Sequence, residues 1–438
     1  MSLKEVLGNV DLSSGSAIDT KTSLSWGELL AVGLTGSDRL PPTVVVSTSD
    51  PLDLLSLMLT LDGEVNNLAL VSAGTSHADL SQRMAHVGEY VVVSNDSSIP
   101  NSLSVTEFVR RYRAATKKQR TAWLLSTSGT TAIPKLVSHS VRSLTRTTRL
   151  NAGDAFVWGQ LYDPCRFAGL QVVLQAVLGG SSIVFPNPQD DLSAQLAFLA
   201  ANGVNALSAT PTLWRKILMT PNSDQLSLRT ITLGGEIADD RILAAVARSF
   251  TGARVRHIYA STEAGTGFSV TDGKAGFPIG YLDGEHHGTR MRIVDDTLLI
   301  HAKGGDSSYV GENRRFADAD GFINTGDQVC VEGDRVFFLG RTSGVINVGG
   351  NKVYPEHVES VLAQVPTVEL VRVVGKDNSV VGQLVVAEVL LSAEADQAAA
   401  KAALMQVASA QLQKHERPFS YQFVDNIEHS TTGKVQRR

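Results

Sequence analysis

A run of ten small, flexible or hydroxyl-bearing residues places the strongest constraint on how this chain folds. The apolar stretch 122–125 before it predicts a buried strand. The run itself, 126–135, reads Ser-Thr-Ser-Gly-Thr-Thr-Ala-Ile-Pro-Lys. Such a loop offers closely spaced backbone N–H groups, hydroxyl donors and one cation, which together suit the oxygens of a triphosphate. Taken alone, the run has a less favoured alternative, a Ser/Thr/Gly surface linker.

Two common classes of nucleotide-binding protein do not fit the sequence. No G-x-x-x-x-G-K-[ST] motif occurs, so a P-loop NTPase is not supported. Gly265 and Gly267 supply only the first two glycines of a G-x-G-x-x-G motif, because Val270 occupies the third position. A dinucleotide-dependent oxidoreductase is therefore not expected.

Length and composition predict a globular, cytoplasmic enzyme. The 438 residues suffice for two to three domains, and 43% hydrophobic and 19% charged residues are ordinary proportions. The net charge of -5 gives no indication of a basic surface for binding nucleic acid. Cys165 and Cys330 form no C-x-x-C motif, so neither a disulfide framework nor a zinc site is indicated. We also expect no signal peptide, because the sequence at residues 1–5 lacks a basic segment followed by an apolar one. We expect no membrane partner, because no apolar run reaches membrane-spanning length.

Strand-like and helix-like segments alternate along the chain and predict an α/β fold. Helices are predicted at 192–201 and 239–250, and Pro211 is expected to begin another. From residue 291 the pattern changes to short hairpins, 291–294 with 298–301 and 329–331 with 336–339. The predicted buried strands are 44–46, 68–71, 90–93, 181–185, 207–209, 230–233 and 255–259.

A domain boundary is predicted near residues 341–343. Beyond it, the pattern predicts a hairpin, a helix at 355–364, strands at 370–374 and 384–390, and a helix at 398–412. A block of about a hundred residues is large enough for a small domain of its own. We therefore predict an N-terminal domain, 1–341, and a C-terminal domain, 342–438.

Six further short motifs follow the Ser/Thr/Gly run in a fixed order. They are Leu233-Gly234-Gly235-Glu236, Tyr259-Ala260-Ser261-Thr262-Glu263, Asn324-Thr325-Gly326-Asp327, Gly340-Arg341, Gly349-Gly350-Asn351-Lys352-Val353 and Thr432-Gly433-Lys434. From about residue 125 to 438 this series resembles the adenylate-forming enzymes: acyl- and aryl-CoA synthetases, stand-alone adenylation domains and luciferases. The resemblance implies a large α/β domain of layered sheets and helices with a small barrel-like β part. It also implies a small, mobile α+β C-terminal domain.

The resemblance assigns the catalytic residues. Lys434 matches the lysine that bridges the substrate carboxylate and the α-phosphate of ATP, although a solvated basic tail is the alternative. Thr262 would contact the α-phosphate. Glu263 would bind Mg²⁺, a cation that prefers oxygen ligands.

The nucleotide-binding residues follow from the same resemblance. Tyr259 would stack on adenine, and Gly235 and Glu236 would lie against the ring. Asp327 would accept both ribose hydroxyls, with a turn-capping aspartate as the alternative. Arg341 would contact ribose or phosphate. The other expected ATP or AMP contacts are Thr127, Ser128, Gly129, Thr130, Thr131, Lys135, Ala260 and Ser261.

The C-terminal domain would supply the CoA site and the hinge. Gly349 and Gly350 match the segment that lines the pantetheine tunnel, and Lys352 would contact a CoA phosphate or simply face solvent. Ser343 stands at the hinge position, where many members carry Asp or Lys.

The acid-binding region departs from the usual H-x-x-G-L pattern. Arg166 occupies the histidine position, and the run from Phe167 is most similar to aryl-acid ligases such as o-succinylbenzoate–CoA ligase. Gly234 and Gly265 would also line this pocket. A guanidinium in an apolar pocket needs an anion or several acceptors. Either Asp163 supplies that anion, or the guanidinium meets a second polar group on a compact acid.

The resemblance predicts an AMP-forming acid–CoA ligase that uses ATP, Mg²⁺ and CoA, with a compact aryl or short-chain acid favoured over a long fatty acid. One alternative is an enzyme that loads an acyl or peptidyl carrier protein. An inactive nucleotide- or acyl-AMP-binding protein is another, although the presence of Lys434, Glu263 and Asp327 argues against it. A homodimer is left open.

Overall fold

The computed structural model describes residues 2–13, 15–127, 135–151, 156–286, 288–302, 308–311, 316–378 and 381–427. Its α-helices are α1 (Leu3–Leu7), α2 (Trp26–Ala31), α3 (Pro51–Leu61), α4 (His77–Met84), α5 (Val105–Arg111), α6 (Val141–Thr145), α7 (Phe167–Leu178), α8 (Leu192–Ala201), α9 (Pro211–Met219), α10 (Asp240–Ser249), α11 (Pro355–Leu362) and α12 (Gln397–Gln411). Short 3₁₀ helices cover Ser223–Gln225, Ile279–Leu282 and Thr342–Gly344.

The strands fall mainly into four sheets. They are β1 (Ser16–Ile18), β2 (Ser23–Ser25), β3 (Asp38–Arg39), β4 (Thr43–Val46), β5 (Asn67–Leu70), β6 (Tyr90–Val93), β7 (Tyr112–Arg113), β8 (Ala122–Ser126), β9 (Leu136–His139), β10 (Val157–Gly159), β11 (Ser182–Val184), β12 (Ala206–Ala209), β13 (Thr230–Gly234), β14 (Arg254–Ser261), β15 (Gly265–Val270), β16 (Phe277–Pro278), β17 (Glu285–His286), β18 (Thr289–Val294), β19 (Thr297–Ala302), β20 (Ser308–Tyr309), β21 (Ile323–Glu332), β22 (Arg335–Arg341), β23 (Ile346–Val348), β24 (Asn351–Val353), β25 (Val368–Asn378), β26 (Gly382–Leu391) and β27 (Ser420–Phe423).

Two mostly parallel sheets form the large α/β part of the molecule. The first has eight strands in the order β15-β14-β13-β12-β10-β11-β1-β2, and the second has six in the order β20-β9-β8-β5-β4-β6. Helices cover these sheets, and the tryptophans Trp26, Trp123 and Trp214 are fully buried. This arrangement confirms the predicted α/β layers, because parallel strands are buried on both faces.

Capping residues and a proline in the sequence mark the observed N-terminal ends of several helices. Helix α8 covers the predicted range, and the side chain of Asp191 caps its first turn. Helix α9 begins at Pro211, and Thr210 is its N-cap residue. Asp239 caps α10 by accepting a hydrogen bond from the backbone of Ile242. Side chains of this kind satisfy N–H groups that the first helical turn leaves unpaired.

A third sheet is antiparallel and forms the predicted barrel-like β part. Its six strands run in the order β16-β22-β21-β19-β18-β17. The edge strands β16 and β17 are joined by a short segment that includes the 3₁₀ helix Ile279–Leu282. Such a connection reaches about 20 Å at most. The edges of a flat sheet of this size would lie about 24 Å apart, so the sheet must curve.

The C-terminal residues build a fourth sheet with its own hydrophobic core. Its strands run in the order β24-β23-β26-β25, and β27 pairs with β26. Helices α11 and α12 pack on this sheet, and every buried residue of the core cluster lies between Ile346 and Leu412. Polar contacts of Tyr354 and of Arg241 join this block to the rest of the chain. Tyr354 donates to Gln328 at 3.3 Å, and Arg241 donates to the carbonyls of Ala363 and Val365 at the end of α11.

Candidate active site

Parallel strands bring two of the predicted motifs to one edge of the eight-stranded sheet. Strand β13 ends at Gly234 and pairs in parallel with β14, where Gly234 lies opposite Ile258. The carboxyl ends of parallel strands meet at the same sheet edge, so Gly235 and Glu236 lie beside the segment from Tyr259 to Glu263. Gly235 has a φ of +84°, which favours glycine. Glu236 accepts a hydrogen bond from the Thr212 backbone at 3.0 Å.

Asp327 lies where this sheet edge meets the third sheet. One carboxylate oxygen accepts a hydrogen bond from Arg341 Nε at 2.9 Å, and the other accepts one from the Tyr259 hydroxyl. Burial and the nearby Asp327 raise the pKa of Tyr259 well above its ordinary value. Burial lowers the pKa of Arg341, but Asp327, Tyr259 and Glu263 together raise it above its ordinary value. The three motifs that carry Tyr259, Asp327 and Arg341 therefore form one electrostatic cluster.

The ring of Tyr259 packs against two phenyl rings. Phe268 lies nearly parallel to it, with ring centres 5.4 Å apart, and Phe338 does the same at 5.1 Å. Tyr259 is partly exposed despite these contacts. Its stacking on adenine stays a prediction, and the observed contacts show that the protein itself holds the ring in place.

Glu263 and Lys135 lie on either side of Tyr309, a residue that the sequence analysis did not single out. The Tyr309 hydroxyl donates to Glu263 Oε1 at 3.3 Å, and Lys135 Nζ lies 4.7 Å from the centre of the Tyr309 ring. The Phe316 ring stands edge-on to Tyr309, with ring centres 4.3 Å apart. The structure thus connects the end of the Ser/Thr/Gly run to the predicted metal ligand.

His139 is a second residue that the sequence analysis missed. It is 2% exposed at the end of β9, and its ring packs against Phe167. Burial lowers the pKa of His139 to about 4, although a hydrogen bond with the Thr262 backbone opposes the shift. The imidazole is therefore neutral near pH 7 and supports the segment that carries Thr262.

Arg166 contacts the protein itself through several polar groups. Its Nε donates to Ser72 Oγ at 3.2 Å, and its Nη1 donates to the carbonyls of Ser126 at 3.4 Å and Thr127 at 3.2 Å. Asp163 lies 3.8 Å away and accepts a hydrogen bond from Ser72. These contacts favour the interpretation in which Asp163 supplies the anion for Arg166. They also show that Arg166 contacts the backbone at the start of the Ser/Thr/Gly run.

Two aromatic side chains, Tyr162 and Phe167, lie beside glycines predicted to bind the acid. The Tyr162 hydroxyl donates to the Gly234 carbonyl at 3.2 Å. Burial and the nearby Glu236 raise the pKa of Tyr162, so it stays protonated. Gly265 has a φ of +73°, and a Cβ atom there would lie 3.9 Å from the Phe167 ring. Gly234 thus lies beside Tyr162, and Gly265 lies beside Phe167, while their role in binding the acid stays a prediction.

The residues predicted for CoA binding lie on the fourth sheet. Gly349 and Gly350 form the exposed tip between β23 and β24, with φ values of +56° and +86°. The Gly349 N–H donates to the Val381 carbonyl at 2.8 Å, and Lys352 is exposed. Ser343 lies in the exposed 3₁₀ turn Thr342–Gly344 between the two parts of the chain. Their roles stay predictions.

Part of the predicted site lies outside the described residues. This applies to Ser128, Gly129, Thr130, Thr131 and the catalytic candidate Lys434. Of the run itself, Ser126, Thr127 and Lys135 are described, and Thr127 and Lys135 exchange hydrogen bonds with each other. In the described part of the chain, no three His, Cys, Asp or Glu side chains gather closely enough to hold a metal ion. No helix among the described residues is long and apolar enough to cross a membrane.

Comparison with known proteins gives consistent matches. The chain is 26% identical over 449 residues to a 2-succinylbenzoate–CoA ligase of Bacillus pumilus, covering 95% of this chain and 88% of that protein. It is 26% identical to the human acyl-coenzyme A synthetase ACSM2B, covering 74% of this chain but 61% of the relative. The fold matches a crystal structure of the anthranilate CoA ligase AuaEII with anthranoyl-AMP, with a TM-score of 0.84, 17% identity and coverage of 100% and 96%.

Sequence profiles of two domain families match most of the chain. The profile described as AMP-binding enzyme matches residues 56–305, which is more than half of the chain. The profile described as AMP-binding enzyme C-terminal domain matches residues 357–434. These matches agree with the order of the motifs and with the cluster around Tyr259, Asp327 and Arg341. The chain therefore belongs to the family of AMP-binding enzymes.

Proposed function

We propose that this chain is an AMP-forming acid–CoA ligase for a compact aryl or short-chain carboxylic acid. A carboxylate oxygen attacks the α-phosphorus of ATP, the bond to the β-phosphate breaks, and pyrophosphate leaves. The CoA thiolate then attacks the acyl carbon of the adenylate, and AMP leaves. The observation that carries this proposal is the convergence of Asp327, Arg341, Tyr259 and Glu263, from three separate sequence motifs, where one edge of the main sheet meets the third sheet.

The described residues fit a bound nucleotide. Both oxygens of Asp327 already accept one hydrogen bond, but a carboxylate offers about four lone-pair positions. Two positions therefore stay available for the ribose hydroxyls. The side chain of Asp327 is 16% exposed, so it is accessible from one side.

Glu263 fits the role of a single protein ligand for Mg²⁺. The Tyr309 hydrogen bond uses Oε1, which leaves Oε2 for a cation. Magnesium is commonly held by one or two carboxylates together with phosphate oxygens and waters. When bound, Mg²⁺ would neutralise phosphate charge and help pyrophosphate to leave. Lys434 would stabilise the charge that develops at the α-phosphate.

The aromatic surroundings support a compact acid. The Tyr162 side chain lies beside Gly234 and the Phe167 ring beside Gly265, so two aromatic rings adjoin residues that we propose bind the acid. A sequence relative, the 2-succinylbenzoate–CoA ligase, and a structural neighbour, the anthranilate CoA ligase, are both named for aryl acids. A free aryl or short-chain acid is thus the substrate class that we propose.

The two-domain division at residues 341 and 342 is part of this proposal. It is supported by the separate hydrophobic core of the C-terminal block. We also propose that the protein acts in the cytoplasm, which rests on its composition and its substrates.

Pyrophosphate release tests the function directly. Purified protein with ATP and Mg²⁺ is offered a panel of benzoates, short-chain acids and long-chain fatty acids, and pyrophosphate is measured for each. We expect release with compact acids, followed by thioester formation with CoA. The same assay with a phosphopantetheinylated carrier protein tests the alternative acceptor. Absence of release with every acid, from protein that binds ATP, would support the inactive binding protein instead.

A further inference from the structure

Tyr309 lies between two groups that the proposed reaction uses, and its place there is determined by strand pairing. Strand β20 pairs antiparallel with β9, so that Tyr309 lies opposite Val137. Lys135 precedes Val137 by two residues, and residues two apart along an extended chain point to the same face. The Val310 N–H donates to the Leu136 carbonyl at 3.0 Å, which holds this register.

The hydroxyl and the ring of Tyr309 make different contacts. The hydroxyl donates to Glu263 Oε1 at 3.3 Å, across 46 residues of sequence. The ring lies beneath the ammonium group of Lys135, at 4.7 Å, in a cation–π contact. Phe316, edge-on at 4.3 Å, restricts rotation of the ring. One side chain therefore orients both the carboxylate and the cation.

We propose that Tyr309 is a positioning residue that holds Glu263 ready for the metal of the nucleotide and holds Lys135 at the mouth of the Ser/Thr/Gly run. This inference rests on the proposed function. A carboxylate that rotates freely loses conformational entropy when it binds a cation. A carboxylate that is already held through one oxygen loses less, and its other oxygen is oriented for the cation. Hydrogen-bond partners of metal-binding carboxylates commonly change metal affinity in this way.

The hydroxyl and the ring contribute to different steps of nucleotide binding. Loss of the hydroxyl affects only the part of ATP affinity that depends on Mg²⁺, because Lys135 still has the ring beneath it. Loss of the ring also affects ATP binding without metal, since Lys135 then loses its support. A residue that merely fills space would change both affinities together or neither.

The test compares ATP binding with and without Mg²⁺ by titration calorimetry. In the wild type, we expect excess Mg²⁺ to lower the Kd of ATP relative to EDTA. In Tyr309→Phe, the gain in ATP affinity that Mg²⁺ provides should be about tenfold smaller, which is the lower end of the usual effect of such hydrogen-bond partners. The Kd of ATP in EDTA should be unchanged. Tyr309→Leu should in addition raise the Kd in EDTA.

Tyr281→Phe is the matched control, because the Tyr281 hydroxyl donates to the Ser269 carbonyl at 3.3 Å elsewhere in the molecule. It should bind ATP like the wild type in both conditions. If Tyr309→Phe keeps the full Mg²⁺-dependent gain, the positioning role is wrong while the proposed function stands. If wild-type protein binds ATP no better with Mg²⁺, both the proposed metal site and this role are wrong.

Discussion

Asp327 shows how the site is preorganised by single residues. Its carboxylate is held by Arg341 and Tyr259, which come from different strands. Because both contacts come from the protein itself, the carboxylate has a defined orientation. A preorganised acceptor loses little conformational freedom when it takes up a ligand.

Replacement of Asp327 by alanine should weaken ATP binding. A hydrogen bond to a charged group contributes about 1.5–3 kcal/mol, so we expect the KM for ATP to rise about tenfold or more. The KM for the acid should change much less, since the ribose contact persists from the ground state to the transition state. Asp320→Ala removes an exposed carboxylate near Arg292 and serves as the control. An unchanged ATP affinity in calorimetry would contradict the ribose role.

His139 should make the stability of the protein depend on pH. Its pKa is about 4 in the folded protein and about 6.5 when unfolded. The unfolded state therefore binds the proton first, and stability falls as the pH drops from about 6.5 towards 4. Between pH 7 and 4.5 the loss should be about 2–3 kcal/mol. We expect His139→Gln to show a smaller loss in the free energy of unfolding, measured in urea. An equal pH dependence in both proteins would be evidence against a buried neutral imidazole.

At the scale of secondary structure, helix α7 joins the regions that we predict to bind the acid and the nucleotide. Arg166 precedes the helix at its N-cap position without capping it through the side chain. The guanidinium reaches instead to the carbonyls of Ser126 and Thr127, where β8 ends. Phe167, the first residue of the same helix, lies beside Gly265. A single helix start thus contacts both predicted binding regions.

Substitution of Arg166 distinguishes the two interpretations of that residue. Because its contacts lie within the protein, we expect Arg166→Leu to raise the KM for ATP several-fold and to lower kcat/KM for the acid as well. Arg166→Lys keeps the charge but loses the planar fork, so it should recover little. Steady-state kinetics with each substrate varied provide the measurement. A loss confined to the acid would favour direct contact with a second polar group of the substrate.

Secondary structure was predictable where the apolar pattern had a clear period or clear end signals. Helices α8 and α10 and strands β4, β5 and β13 follow from such patterns. Helix α7 does not, because its sequence FAGLQVVLQAVL is apolar on nearly all sides and has no helical period. Strand β20 is only two residues long, and its partner β9 lies far away in the sequence. No local signal can indicate such a pair.

At the scale of the whole molecule, Arg241 joins the C-terminal block to the large α/β part. It lies on α10 and donates to the Ala363 and Val365 carbonyls. The last carbonyls of a helix lack partners within the helix and carry partial negative charge, so a guanidinium is well placed there. We therefore expect this contact to help hold the C-terminal block in the observed position.

Loss of this contact should loosen the junction between the two parts. We expect Arg241→Ala to be cleaved by trypsin after the exposed Arg341 several-fold faster than the wild type, because the block undocks more often. Arg248→Ala, an exposed position on the same helix, should be cleaved at the wild-type rate. Mass spectrometry of the fragments locates the cut. Equal cleavage rates for all three proteins would show that Arg241 does not hold the block.

The order of short motifs was sufficient to indicate the family, because each motif is a local string whose residue types suit one part of a nucleotide. The pattern of apolar residues likewise indicated the α/β layers and the separate C-terminal block, since burial leaves a periodic trace along the chain. Only the tertiary structure determined the partners of Asp327, the place of Tyr309 between Lys135 and Glu263, and the contacts of Arg166. These contacts join residues far apart in sequence, and they depend on the register of whole sheets rather than on any single segment.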